Sequence, residues 1–228
     1  MLDKLGKKKY ALPAVAVIVL CCGFSFMMYP MLSSPMGAIM GGTTGAILIM
    51  PAVMMTMICS ILLSILFKPA KNADQKTRLM AYGIQLGYIV VLSLLVSIAA
   101  PLVAVIGGLS IPFGEIMLFL WVASFSIMAL FVGAFNIARP VGIVVVATTM
   151  LCGMFTGMIL PVETLPGFWQ HFIAPWAPQR YMGEGLISII SGKGAWGNQA
   201  IAFTITAIVG VLLTILAFFI PSMKKLKK

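Results

Sequence analysis

Six predominantly apolar runs, each long enough to cross a bilayer, fill most of the chain: Ala11–Leu32, Ala38–Phe67, Met80–Ile106, Glu115–Phe135, Pro140–Leu160 and Asn198–Ile220. A spanning helix needs about 20 such residues, each adding about 1.5 Å. Hydrocarbon offers no water to a backbone amide, so the crossing segment must be a helix or part of a closed barrel. The runs lack the in-out alternation of barrel strands, which makes them helices. The sequence therefore predicts an all-α polytopic membrane protein, a single transmembrane domain over residues 1–228 with six transmembrane helices. Composition agrees: 61% of the 228 residues are hydrophobic and 9% are charged, with a mean hydropathy of +1.12. A soluble domain carries about 25% charged residues, so a water-soluble globule and a disordered chain are both excluded.

The formal charge of +10 raises the question of nucleic acid, and the positions of the charges answer it. Basic residues cluster at Lys4–Lys9, Lys68–Arg78, Arg139 and Lys224–Lys228, each beside an apolar run. That is the pattern of loop anchors at a bilayer, not of a nucleic-acid groove. With six crossings and a cytoplasmic N-terminus, thirteen of the fifteen basic residues fall inside, and only Arg180 and Lys193 fall outside. The positive-inside rule then predicts a multi-pass protein of the cell membrane with both termini cytoplasmic. The first run follows Lys7–Lys9 like a signal peptide. Its A-x-A stretch, Ala14–Ala16, lies inside the apolar core, so retention as a helix is expected.

Between the fifth and sixth runs the pattern breaks. Pro161, Pro166, Pro175 and Pro178 resist a continuous helix, yet Phe168, Trp169, Phe172, Trp176 and Tyr181 lie among them. Trp and Tyr favour the headgroup level. Two short helices, Leu165–Ala174 and Gln179–Ile190, forming a re-entrant or interfacial helical hairpin in the outer leaflet, reconcile the prolines with the aromatic content. An extracellular loop with an aromatic anchor is the plainer alternative.

What the runs lack is as informative. No Asp, Glu, Lys, Arg or His falls in the middle of any of them, whereas ion-coupled transporters keep such residues as proton carriers. Glu115 begins its run beside Gly114 and reads as a solvated helix-start carboxylate. The only histidine, His171, belongs to the outer segment, and Cys21, Cys22, Cys59 and Cys152 have no zinc spacing. No catalytic, cofactor-binding or metal site is expected, and no G-x-x-x-x-G-K-[ST] loop for ATP is present. Glycines spaced by four (Gly37, Gly41 and Gly45; Gly83 and Gly87; Gly153 and Gly157) are candidates for close helix contact. Pro51 and Pro101 predict kinks. Gln85, Thr148 and Thr149 are expected to bond between helices or to line a polar path. The basic loop Lys68–Arg78 either anchors topology or docks a soluble partner.

This layout resembles the permease subunit of a type-2 ABC transporter, closest to the carboxyl-terminal membrane region of the YhgE/Pip proteins. The resemblance rests on Leu160–Trp169 (LPVETLPGFW), then Ala174–Pro178 (APWAP), then Tyr181–Leu186 (YMGEGL). YhgE/Pip proteins carry a large extracellular region after the first span. Only a few residues around Ser33–Gly37 stand there in this chain, so the likeness runs to a compact permease.

The resemblance implies export of a hydrophobic or amphipathic substrate by a homodimer or heterodimer, powered by a separate ATP-binding subunit. That subunit would dock on Lys68, Lys71, Asp74, Lys76 and Arg78. The outer gate would comprise Pro161, Glu163, Pro166, Trp169, Pro175, Trp176, Pro178, Tyr181 and Glu184. Apart from the bilayer, no nucleic acid or cofactor is implied. The rival expectation is a non-transporting envelope scaffold or surface receptor of the YhgE/Pip type.

Overall fold

The fold is given by a computed structural model, which describes residues 43–67, 69, 74–106, 108–155, 164–194 and 196–225, with 19 and 23 as isolated helical positions. Among the described residues the chain is all-helical. Helices α1 (Thr43–Leu66), α2 (Gln75–Ile106), α3 (Phe113–Ile137), α4 (Arg139–Phe155), α5 (Pro178–Ile190) and α6 (Asn198–Lys225) follow in order. Four of them, α1, α2, α3 and α6, are long and apolar enough to cross a membrane. The expected first span, Ala11–Leu32, lies outside the described residues except at Val19 and Gly23. The expected fifth span is described as α4, of 17 residues, and its remainder over 156–160 lies outside them.

The helix ends follow local chemistry. Gly108 (φ 84°) lets its own N–H reach Val105 O and the Leu109 N–H reach Ala104 O, closing α2 with a left-handed cap. Gly192 (φ 74°) closes α5 the same way, with N–H bonds to Ile189 O and, from Lys193, to Ser188 O. Ala138 is extended (φ −157°, ψ 147°) and separates α3 from α4, and Pro140 sits in the first turn of α4, where its missing N–H costs nothing.

α3 is the central helix and packs against each of the other five. The buried stripe of α2 repeats every seven residues, at Arg78, Gln85, Leu92 and Ala99, with Ile89, Val96 and Val103 between. That period keeps one face of a helix on a neighbour. Phe119 meets Phe203 near the starts of α3 and α6, and Gly210 meets Ala129 and Gly133 further along, so these two helices run parallel. Gln85, early in α2, meets Asn136 at the end of α3, which makes α2 antiparallel to both. One end of the bundle therefore gathers Arg78, Asn136, Arg139 and the close of α6. The opposite end gathers Phe119, Gln179, Gly185 and Trp196.

The tightest helix crossing is α3 on α6. A methyl group at Gly133 would collide with the Gly210 carbonyl, and one at Gly210 would collide with the Ala129 backbone. Close backbone approach of this kind needs small residues on both helices. The four-spaced glycines predicted to do this work are elsewhere. Gly83 and Gly87 face open space, and Gly153 lies against the Gln179 side chain. Gly37, Gly41 and Gly157 lie outside the described residues, and only the backbone of Gly45 is described, in α1.

Burial is graded across the bundle: 67% of the apolar window of α3 is buried, and 17% of that of α6. The exposed face of α6 is nevertheless isoleucine, leucine and phenylalanine. Contiguous apolar area on that scale is tolerated in contact with lipid, not water. These features are those of a membrane protein.

Candidate functional site

The segment leading into α5 is built by its prolines. Pro166 O accepts bonds from the N–H groups of Trp169 and Gln170, at 2.8 and 3.1 Å, starting a short coil. The coil widens to a π-turn over Trp169–Ile173 and tightens to a 3-10 turn over Ala174–Trp176. Pro178, in the first turn of α5, restarts a regular helix. The two predicted short helices thus exist in outline, the first as an irregular coil.

α5 is amphipathic. Pro178, Met182, Leu186 and Ile189 lie on its buried face, and Gly185 rests on the Phe119 ring, where any Cβ would collide. Phe119 in turn stands edge-on to Phe203 (5.6 Å) and Trp196 (6.1 Å). This aromatic cluster seats α5 across the ends of α3 and α6.

Beside that buried face, a groove of about 570 Å³ opens between α5 and α6. Pro175, Trp176, Pro178, Tyr181 and Glu184, all expected in the outer gate, line it together with Arg180 and the α6 residues Asn198, Ile201 and Ile205. Arg180 Nε donates to Glu184 Oε1 at 2.6 Å, and its guanidinium lies 5.6 Å from the Tyr181 ring centre. The Tyr181 hydroxyl donates to Pro175 O at 3.1 Å, tying the 3-10 turn to α5. Trp176 is 83% exposed, continuing an aromatic ridge with the stacked pair Phe168 and Phe172. Pro166 is exposed and Trp169 half-buried, both on the coil rather than in the groove. Pro161 and Glu163 lie outside the described residues. A second groove of about 390 Å³ is lined by Thr148, Thr149, Cys152, Phe172 and Trp176.

The polar groups within the apolar interior are neutral except for Arg78 at one end. Thr56, Ser60 and Ser64 stack along α1, each hydroxyl donating at 2.7 Å to the carbonyl four residues back. Asn136 Nδ2 donates to Gln85 Oε1 at 2.9 Å, the interhelical bond expected of Gln85, while Gln85 Nε2 and Asn136 Oδ1 are unpaired. Gln179 is fully buried against Gly153 with both amide atoms unpaired.

The basic loop divides. Asp74 and Lys76 are exposed, and Lys68 and Lys71 lie outside the described residues. Arg78 does not share their surface. It is buried, donates from Nη2 to Ala217 O at 2.9 Å and lies 5.4 Å from the Phe218 ring centre. Its place on the seven-residue stripe with Gln85 and Leu92 is the signal that separates it from the loop. Gln179 and Asn136 carry no comparable signal, being single amides at helix ends. Comparison with protein-family models, with curated proteins and with solved structures finds no match.

Proposed function

We propose that the chain is the permease subunit of an ABC-type exporter, moving a hydrophobic or amphipathic substrate across the cell membrane with energy from a separate ATPase subunit. In this reading the chain crosses six times with both termini cytoplasmic. The coil and α5 form the re-entrant outer element, and two permease chains enclose the pathway.

The observation that carries the reading is the distribution of charge. Among the described residues, the carboxylates, the basic side chains and the histidine lie at the two ends of the bundle, and the polar groups between them are hydroxyls, amides, the Cys59 thiol and the Trp121 indole. A proton relay needs carboxylate, basic or histidine groups at membrane depth, and such groups are the usual mark of an ion pathway there. Without one, the driving force comes from a partner. The basic end, with Lys76, Arg78, Arg139 and the close of α6, is the cytoplasmic face by the positive-inside rule and the place for the ATPase to dock.

Reconstitution of the chain alone tests this. Liposomes carrying it and an entrapped pH-sensitive dye should hold an imposed proton gradient as well as empty liposomes do, with or without sodium. Gradient-dependent flux through the chain alone would assign it to the ion-coupled class.

A further inference from the structure

We infer that the groove between α5 and α6 is a binding site for a phospholipid with a zwitterionic, primary-ammonium headgroup, drawn from the surrounding bilayer. The inference rests on the membrane reading of the helices and does not require the transport reading.

Two features select the ligand. The first is the shape of the apolar floor. Ile201 and Ile205 line the groove and also begin an exposed apolar stripe that continues through Ile208, Leu212, Leu216 and Phe219. At about 1.5 Å per residue that stripe descends about 27 Å, close to the hydrocarbon thickness of a bilayer. The groove therefore opens sideways into lipid as well as towards the headgroup layer. An occupant with both a polar head and acyl tails matches both openings.

The second feature is the charge at the mouth. Arg180 and Glu184 supply one cation and one anion on adjacent turns of α5, with side chains 26% and 39% exposed. Their mutual bond uses Arg180 Nε and Glu184 Oε1, and the guanidinium has further N–H donors while the carboxylate has a second oxygen. A phosphate on the guanidinium and an ammonium on the carboxylate complement this pair, and the net charge of the mouth stays zero. A purely anionic headgroup satisfies Arg180 and is repelled by Glu184. A quaternary ammonium needs several aromatic faces, and the Tyr181 face already holds Arg180 at 5.6 Å.

Trp176, at the mouth, provides the readout. The purified full chain is reconstituted in phosphatidylcholine vesicles doped with lipids brominated on the acyl chain and bearing phosphatidylethanolamine, phosphatidylglycerol or phosphatidylcholine heads. Tryptophan quenching is then compared. Brominated phosphatidylethanolamine should bind about threefold more favourably than the other two, the scale of a half-exposed charge contact. Trp176→Phe should remove the headgroup-dependent part of the quenching. Glu184→Gln should abolish the preference over phosphatidylcholine, and Glu184→Asp, which keeps the charge, should retain it. Equal quenching by the three headgroups in the wild type, or a preference that survives in the Arg180→Gln/Glu184→Gln double variant, would overturn the inference. Either result leaves the transport reading standing, because no ATPase takes part. Conversely, a lipid preference in a protein that has no ATPase partner would leave this site in place and remove the transporter.

Discussion

Arg78 hydrogen-bonds the one carbonyl in α6 that proline leaves without a donor: its Nη2 lies 2.9 Å from Ala217 O, and the residue four positions on is Pro221. In an α-helix the N–H of residue 221 would bond to that oxygen, and proline has none. Arg78 supplies the missing donor from α2, 139 positions away in sequence, and rests against the neighbouring Phe218 ring. No carboxylate among the described residues pairs with it.

Arg78→Ala should accordingly destabilise the bundle by about 1–3 kcal/mol, the cost of leaving a buried acceptor unsatisfied. Pro221→Ala, which restores an N–H to the helix, should recover a large part of that loss in the Arg78→Ala background. Thermal unfolding of the single and double variants in detergent checks both, and additive losses would contradict the relationship.

Glycine substitutions should split by position. Gly210→Ala and Gly133→Ala push α6 away from α3 and should cost about 1–3 kcal/mol, as overpacking of a tight contact does. Gly83→Ala and Gly87→Ala, where a methyl group meets nothing, should be neutral or stabilising by up to about 1 kcal/mol through helix propensity. Unfolding midpoints of the four variants measured side by side give the comparison.

The buried amide pair should show the asymmetry of hydrogen bonds in apolar surroundings. Gln85→Leu or Asn136→Leu alone strands a polar partner and should cost about 1 kcal/mol, whereas the double replacement should recover most of it. A double-mutant cycle on unfolding free energy reads the coupling directly.

These cases show what was legible in the sequence. The long helices could be read because apolar run length is a local property that the bilayer requirement fixes. α5 could be read because Pro178 starts it and Gly192 stops it. Arg78 was hidden inside a basic run that looks like one loop, since charge density does not reveal that α2 has begun at Gln75 and turned one of those charges inward. The Gly83 and Gly87 pair misled because spacing reports that two glycines share a helix face, not which face is covered. The contact that does form pairs Gly133 and Ala129 on α3 with a lone Gly210 on α6, a relation between helices distant in sequence. The Arg180 and Glu184 pair shows in the sequence as an i, i+4 match, but its use as the mouth of a groove depends on where α6 passes.

Membrane orientation has its own consequence. With the basic end inside, Lys193→Cys should react with a membrane-impermeant maleimide in intact cells, and Lys76→Cys only after permeabilisation, against a background in which native cysteines are replaced by serine. The reverse pattern would place α5 and its groove on the cytoplasmic face.

Export of the proposed kind requires a neighbouring ATPase. Purification of the tagged full chain from its native membranes in mild detergent, followed by identification of bound proteins and assay of ATP hydrolysis, tests it most directly. A nucleotide-binding subunit in near-equal amount is expected, with ATP hydrolysis that falls when Lys68, Lys71 and Lys76 are neutralised. A chain recovered without any ATPase, and without ATP hydrolysis, would contradict it.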